Sequence, residues 1–87
     1  STGELFVSDT LENNEKILSE KLRGWRKKAA EELNVPPYVI FGDKTLFDIA
    51  KKKPSNIKEL TSCYGIGEIK AEKFGYFILK IIKENAQ

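Results

Sequence analysis

Three groups of residues in this 87-residue chain have the types and spacing to do chemistry, and in each the chemistry is recognition of an anion or a flat ring. Gly65-Ile66-Gly67 is flanked by Leu60, Ala71 and Phe74 at helical steps, so two helices meet there through a very tight turn. Glycine permits positive φ and close backbone approach, and the helix that follows opens with amides that have no partner within it. Such amides, together with the helix dipole, suit a phosphate whatever it is attached to. Lys70 and Lys73 lie in the first two turns beyond Gly67 and add charge. The plain alternative is a Gly-rich connection whose Ile66 plugs a core, and the spacing alone leaves both open.

The second group is a lysine stripe. At 3.6 residues per turn Lys70, Lys73 and Lys80, with Phe77 among them, span about a quarter-turn of one helix, while Glu68 and Glu72 point elsewhere. On an earlier helix Lys16, Arg23 and Lys27 share a face with Glu20 and Glu31, the mixture of an ordinary solvated surface. The third group is Tyr38, behind Pro36 and Pro37. Two prolines stiffen the corner while Val39, Ile40 and Phe41 seek the interior, which can leave the Tyr38 ring exposed as a platform for an unpaired base. Equally, the ring can close the edge of the core with its hydroxyl in water.

What is absent narrows the chemistry. There is no histidine, which removes Ser-His and Cys-His nucleophile pairs and the commonest zinc ligand. One cysteine, Cys63, makes neither an internal disulfide nor a thiolate cluster and reads as a small buried hydrophobe. Gly42-Asp43-Lys44-Thr45 has a Lys-Thr pair without the glycines of a phosphate loop. A self-contained enzyme, a metal site and a resident cofactor are therefore not expected. No apolar run is long enough to span a membrane and no export signal opens the chain, so a cytoplasmic location is expected; separately, the chain is expected to act as a monomer.

These residues need elements to hold them. Residues 1–13 hold three acids and no base and read as a linker or an added start, with a short extended piece at Leu5-Phe6-Val7 able to dock on the body. They hold three of the thirteen acids and none of the fifteen bases, so the +2 of the whole chain becomes +5 over residues 14–87. From Asn14, Leu18, Leu22, Trp25, Ala29 and Leu33 recur at helical spacing, with Asn13 or Asn14 as cap and Pro36-Pro37 as stop near Asn34. Val35–Gly42 reads as an extended stretch or single tight turn. A second helix runs from an Asp43 cap to Lys53, before Pro54; a short third is capped by Ser55 or Asn56, with Ile57 and Leu60 inward. The last helix follows Gly67, carries Ala71, Phe74, Ile78 and Ile81 on one face and ends near Asn85. The expectation is an all-α bundle of four or five short-linked helices, one domain over residues 14–87 with a modest core and no deep cavity.

The combined pattern resembles a known family. Leu22-Arg23, Arg26-Lys27, Ala30, Val35-Pro36-Pro37-Tyr38-Val39-Ile40-Phe41, Asp43, Thr45-Leu46, Ile49-Ala50 and Pro54, then Leu60, Gly65-Ile66-Gly67, Lys70 and Phe74-Gly75, are similar to the HRDC (helicase and RNase D C-terminal) domain, most of all that of bacterial RecQ-type DNA helicases. Within it the Gly-Ile-Gly segment resembles a helix-hairpin-helix. The resemblance spans about residues 14–84 and implies a compact five-helix bundle that is not itself catalytic. It implies an auxiliary nucleic-acid-binding module tethered to an ATP-dependent 3′-to-5′ helicase core, which alone uses ATP and Mg2+. Single-stranded or junction DNA would stack on Tyr38 and be gripped through Lys44, Gly65, Gly67, Lys70 and Lys73, with added field from Arg23 and Lys27. The other readings are a module that docks on the helicase core, and the same fold attached to an RNase-D-type exoribonuclease that binds RNA.

Overall fold

Helix α1 runs Thr2–Leu33 in the computed structural model, which describes residues 2–86 and the side chains of residues 13–86. Between Glu4 and Leu33 there is no proline and a single glycine, Gly24, so a nucleated helix meets no stop and each further residue adds a hydrogen bond. The helix accordingly continues back through the segment expected to be a linker with an extended Leu5-Phe6-Val7, and Asn13 and Asn14 lie inside it rather than capping it. The side chains of Leu5, Phe6 and Val7, and with them the docking expected of them, lie outside the described residues.

At its other end α1 stops one residue early. Asn34 is left-handed at φ 58, its N–H bonded to the Glu31 carbonyl at 3.2 Å, and the Val35 N–H bonds to the Ala30 carbonyl at 3.0 Å. This pair of bonds satisfies two helix-end carbonyls and turns Val35 onto the core over Ala30. Leu33, expected on the core face, is thereby left 57% exposed.

The Val35–Gly42 connection contains a one-turn helix, α2 (Pro37–Ile40), entered through an extended Pro36. Helix α3 (Asp43–Lys52) follows, with Gly42 rather than Asp43 at the cap; the Asp43 carboxylate turns instead to arginines of α1. Lys53 closes α3 in the left-handed region at φ 48, directly before Pro54. Helix α4 (Ile57–Thr61) is capped by Asn56, whose side chain accepts the Glu59 N–H at 2.8 Å. Helix α5 (Glu68–Glu84) starts after Gly67 and ends at Asn85.

Helix α1 packs against α2, α3 and α5, and α4 against α5. Leu18, Leu22, Ile40, Phe41, Leu46, Ile49, Leu60, Ile66 and Ile78 form the core, with Cys63 buried among them. Trp25 joins the halves: its ring lies 6.3 Å from Phe41, 5.7 Å edge-on from Phe74 and 6.1 Å from Phe77. Two residues expected inward are only partly so. Val39 is half-exposed, because a single helical turn cannot turn three consecutive side chains to the same side. Ile57 is half-exposed too, lying across Gly75 of α5 rather than within the bundle. Among the described residues no helix is long and apolar enough to cross a membrane.

Candidate nucleic-acid interface

The corner behind Pro36 is fixed by what lies beneath it. Pro36 at φ −64, ψ 149 and Pro37 at the first position of α2 pre-set the backbone, and the Val39 N–H closes the turn on the Pro36 carbonyl at 3.0 Å. Ile40 and Phe41 then enter the core while Tyr38 stands out with 71% of its surface exposed. Of the two alternatives for this ring, closure of the core edge is the one this exposure disfavours.

A buried arginine holds that corner. Arg26 lies on the inward side of α1, its side chain 8% exposed, and donates from Nη1 to the Phe41 carbonyl at 3.0 Å and from Nη2 to Asp43 Oδ1 at 2.9 Å. Its guanidinium also sits 5.8 Å from the centre of the Phe41 ring. One side chain thus ties α1 to the end of α2 and the start of α3. The hydrogen bond from Arg26 is the main cause that keeps the Asp43 carboxyl below the usual carboxylate range, and Arg23, at 3.4 Å, adds to it. Helical spacing places Arg26 four residues from both Leu22 and Ala30, and that is the signal in the sequence for its burial.

Beside the corner, α3 carries Lys44 at its start. Lys44 Nζ lies 4.2 Å from the centre of the Tyr64 ring, just ahead of the Gly65 turn. Gly65 is left-handed at φ 74, and the space where its side chain would be is filled by Thr45 Oγ1. Glycine is therefore required on two counts. The Tyr64 N–H is bound by Asp48 Oδ2 at 2.7 Å, and Lys52 pairs with the same oxygen at 3.0 Å; these two hold Asp48 below the usual carboxylate range, the amide first. Ile66 fills the core, so the plug reading of the turn is satisfied. The amide reading keeps its geometry as well: Gly67 is extended, no side chain caps α5, and the first intrahelical bond is Ala71 N–H to Gly67 O at 3.0 Å. Glu68 in that first turn places a negative charge among the free amides, so attraction of an anion there rests on the lysines.

Tyr38 and Gly67 aside, the other six of the eight predicted residues fall into two sets. Arg23, Lys44 and Gly65 converge on one side of α1, α3 and the turn before α5. Lys27 on α1, and Lys70 and Lys73 on α5, enter no hydrogen bond, ion pair or aromatic contact with that set among the described residues; Lys70 is partly buried and Lys73 exposed. Cys63 is shielded at the turn, and burial pushes its thiol above the ordinary range, with Asp48 adding to the effect.

A family model described as the HRDC domain matches residues 15–82. The chain belongs to the HRDC domain family. It is similar to the ATP-dependent DNA helicase RecQ of Bacillus subtilis, 45% identical over 76 residues that make up 87% of this chain and 12% of that protein. RecQ of Haemophilus influenzae is 38% identical over 73 residues, 84% of this chain and 12% of that protein. The solved D. radiodurans RecQ HRDC domain 3 matches with a TM-score of 0.78 at 33% identity, over 80% of this chain and 92% of that one. This HRDC domain thus spans 12% of the length of the two curated relatives. Three contributors were not singled out from the sequence as site residues: Arg26, which braces the corner, and Phe47 and Tyr64, whose rings lie about half-exposed beside Lys44.

Proposed function

We propose that this HRDC domain binds single-stranded or structured DNA weakly and biases an attached ATP-dependent helicase of RecQ type toward such substrates. The observation that carries this reading is Tyr38: a ring 71% exposed, on a two-proline corner braced from below by Arg26. A corner held in this way presents the ring from a fixed backbone, and Lys44 on α3 and Arg23 on α1 supply charge for phosphates of the same strand. In this reading the domain does no chemistry; ATP and Mg2+ serve the helicase core, and the domain acts as a monomer on DNA in the cytoplasm. The test is fluorescence anisotropy of labelled oligo-dT at low salt. Tyr38→Ala weakens binding by ~5- to 150-fold, the ~1–3 kcal/mol of one stacked base, with the melting temperature unchanged. Unaltered affinity in that variant refutes the role of the ring.

A second reading, docking on the helicase core of the same chain, is favoured by a groove of about 910 Å3 between α1 and the end of α5, lined by Leu18, Pro54, Tyr76, Leu79 and Ile82. It predicts no binding of oligo-dT or oligo-U, and binding of the isolated helicase core.

A further inference from the structure

Helix α3 buries Leu46, Ile49 and Ala50, which leaves Lys44, Phe47 and Lys51 along its outer side at steps of three and four. The core has no use for an aromatic residue there, and Phe47 is 53% exposed. Across from it Tyr64, 54% exposed, is held by its own backbone: its N–H is bound by Asp48 and it is followed by the left-handed Gly65. Phe47 and Tyr64 line one shallow hollow of about 500 Å3 with Lys44 and Lys51. Each ring already has a cation over it, Lys44 Nζ at 4.2 Å from the Tyr64 centre and the Arg23 guanidinium at 5.9 Å from that of Phe47. Asp48, the carboxylate in the hollow, is paired with Lys52 at 3.0 Å, so Lys44 and Lys51 leave the surface positive.

We propose that Phe47 and Tyr64 are a second stacking site for unpaired bases, gripping the backbone through Lys44 and Lys51. The proposal rests on the nucleic-acid reading above and extends it to two positions outside the residues that carry the family resemblance. Exposed rings interleaved with lysines on a rigid surface match what an unpaired strand offers, flat bases alternating with phosphates. A duplex hides its base faces and would use the charges alone.

Anisotropy of labelled oligo-dT and oligo-U at low salt, with Phe47→Ala, Tyr64→Ala, Tyr64→Phe and Tyr38→Ala, separates the cases. Phe47→Ala and Tyr64→Ala each weaken binding by ~5- to 150-fold without lowering the melting temperature, since both side chains lie outside the core. Tyr64→Phe, which keeps the ring, binds like the unaltered chain. Tighter oligo-dT assigns the site to DNA and tighter oligo-U to RNA, and either supports stacking. If Tyr38→Ala loses affinity while both alanine variants at 47 and 64 keep it, the second site is overturned and the nucleic-acid reading stands. No binding by the unaltered chain overturns both. If polyglutamate competes as well as an unlabelled oligonucleotide of equal charge, the surface reads charge alone and the stacking assignment falls.

Discussion

Replacing Arg26 by Met removes the brace beneath Tyr38 while keeping most of the apolar stem that fills the inner side of α1. What is lost is two charge-assisted hydrogen bonds, to the Phe41 carbonyl at 3.0 Å and to Asp43 at 2.9 Å. Asp43 is exposed and returns to water at little cost, but Phe41 is fully buried and its carbonyl loses a partner. Leaving a buried acceptor unsatisfied costs ~1–3 kcal/mol. The opposing gain is real: Arg26 Nε is buried without a partner, and burying a guanidinium is itself unfavourable. A net loss of ~1–2 kcal/mol remains, which for a domain of this size lowers Tm by roughly 5–15 °C. Arg26→Lys recovers only part, since one ammonium cannot reproduce the planar fork that reaches both oxygens. The pH dependence gives an independent readout. Because the folded Asp43 carboxyl titrates below its unfolded value of ~3.9, its contribution is fully present above that pH and is lost as pH falls through the lower folded value. The acid limb of Tm against pH is therefore shallower in Arg26→Met, while the part that Asp48 contributes is kept. Thermal melts by far-UV circular dichroism between pH 2 and 7 measure both effects. A Tm within ~2 °C of the unaltered protein, with an unchanged acid limb, would refute the bracing role.

Two further outcomes follow from the turn before α5. Gly65→Ala places a side chain at φ 74 against Thr45 Oγ1 and destabilises the domain by ~2–3 kcal/mol, readable as a shift of the urea midpoint; a loss below ~0.5 kcal/mol would mean that the turn relaxes. Cys63, buried with its thiol pushed upward, reacts with Ellman's reagent at neutral pH only as fast as the domain opens, and reaction in the native state at the rate of a free thiol would contradict its burial.

The helices with strong punctuation were legible in the sequence, and those without it were not. Pro36-Pro37, Pro54 and the two glycines around Ile66 mark where α1 stops, α3 ends and α5 starts, because each residue restricts or frees φ locally. The N-terminal boundary of α1 is not legible in the same way, because acidic, polar composition suggests a linker, whereas helix propagation needs only the lack of a stop. Tyr38 could be placed on a corner from its neighbours, but its 71% exposure and the bond that fixes the Phe41 carbonyl to Arg26, 15 residues away, appear only in the fold. Phe47 and Tyr64 are 17 residues apart in sequence, and only the packing of α3 beside the turn before α5 brings both to one hollow. Lys27, Lys70 and Lys73 show the converse: charge on a helical wheel says which way a side chain faces, and not what else faces that way.

The central claim is that unpaired nucleic acid is read at the Tyr38 corner and the adjoining face of α3. Titration of the 15N-labelled domain with unlabelled oligo-dT, followed by the amide correlation spectrum, tests it with no substitution at all. Saturable shifts centred on Tyr38, Val39, Lys44, Phe47, Tyr64 and Gly65, shrinking as salt is raised, are the predicted result. A spectrum that does not move, or shifts confined to the far end of α5 from Leu79 to Asn85, would contradict it.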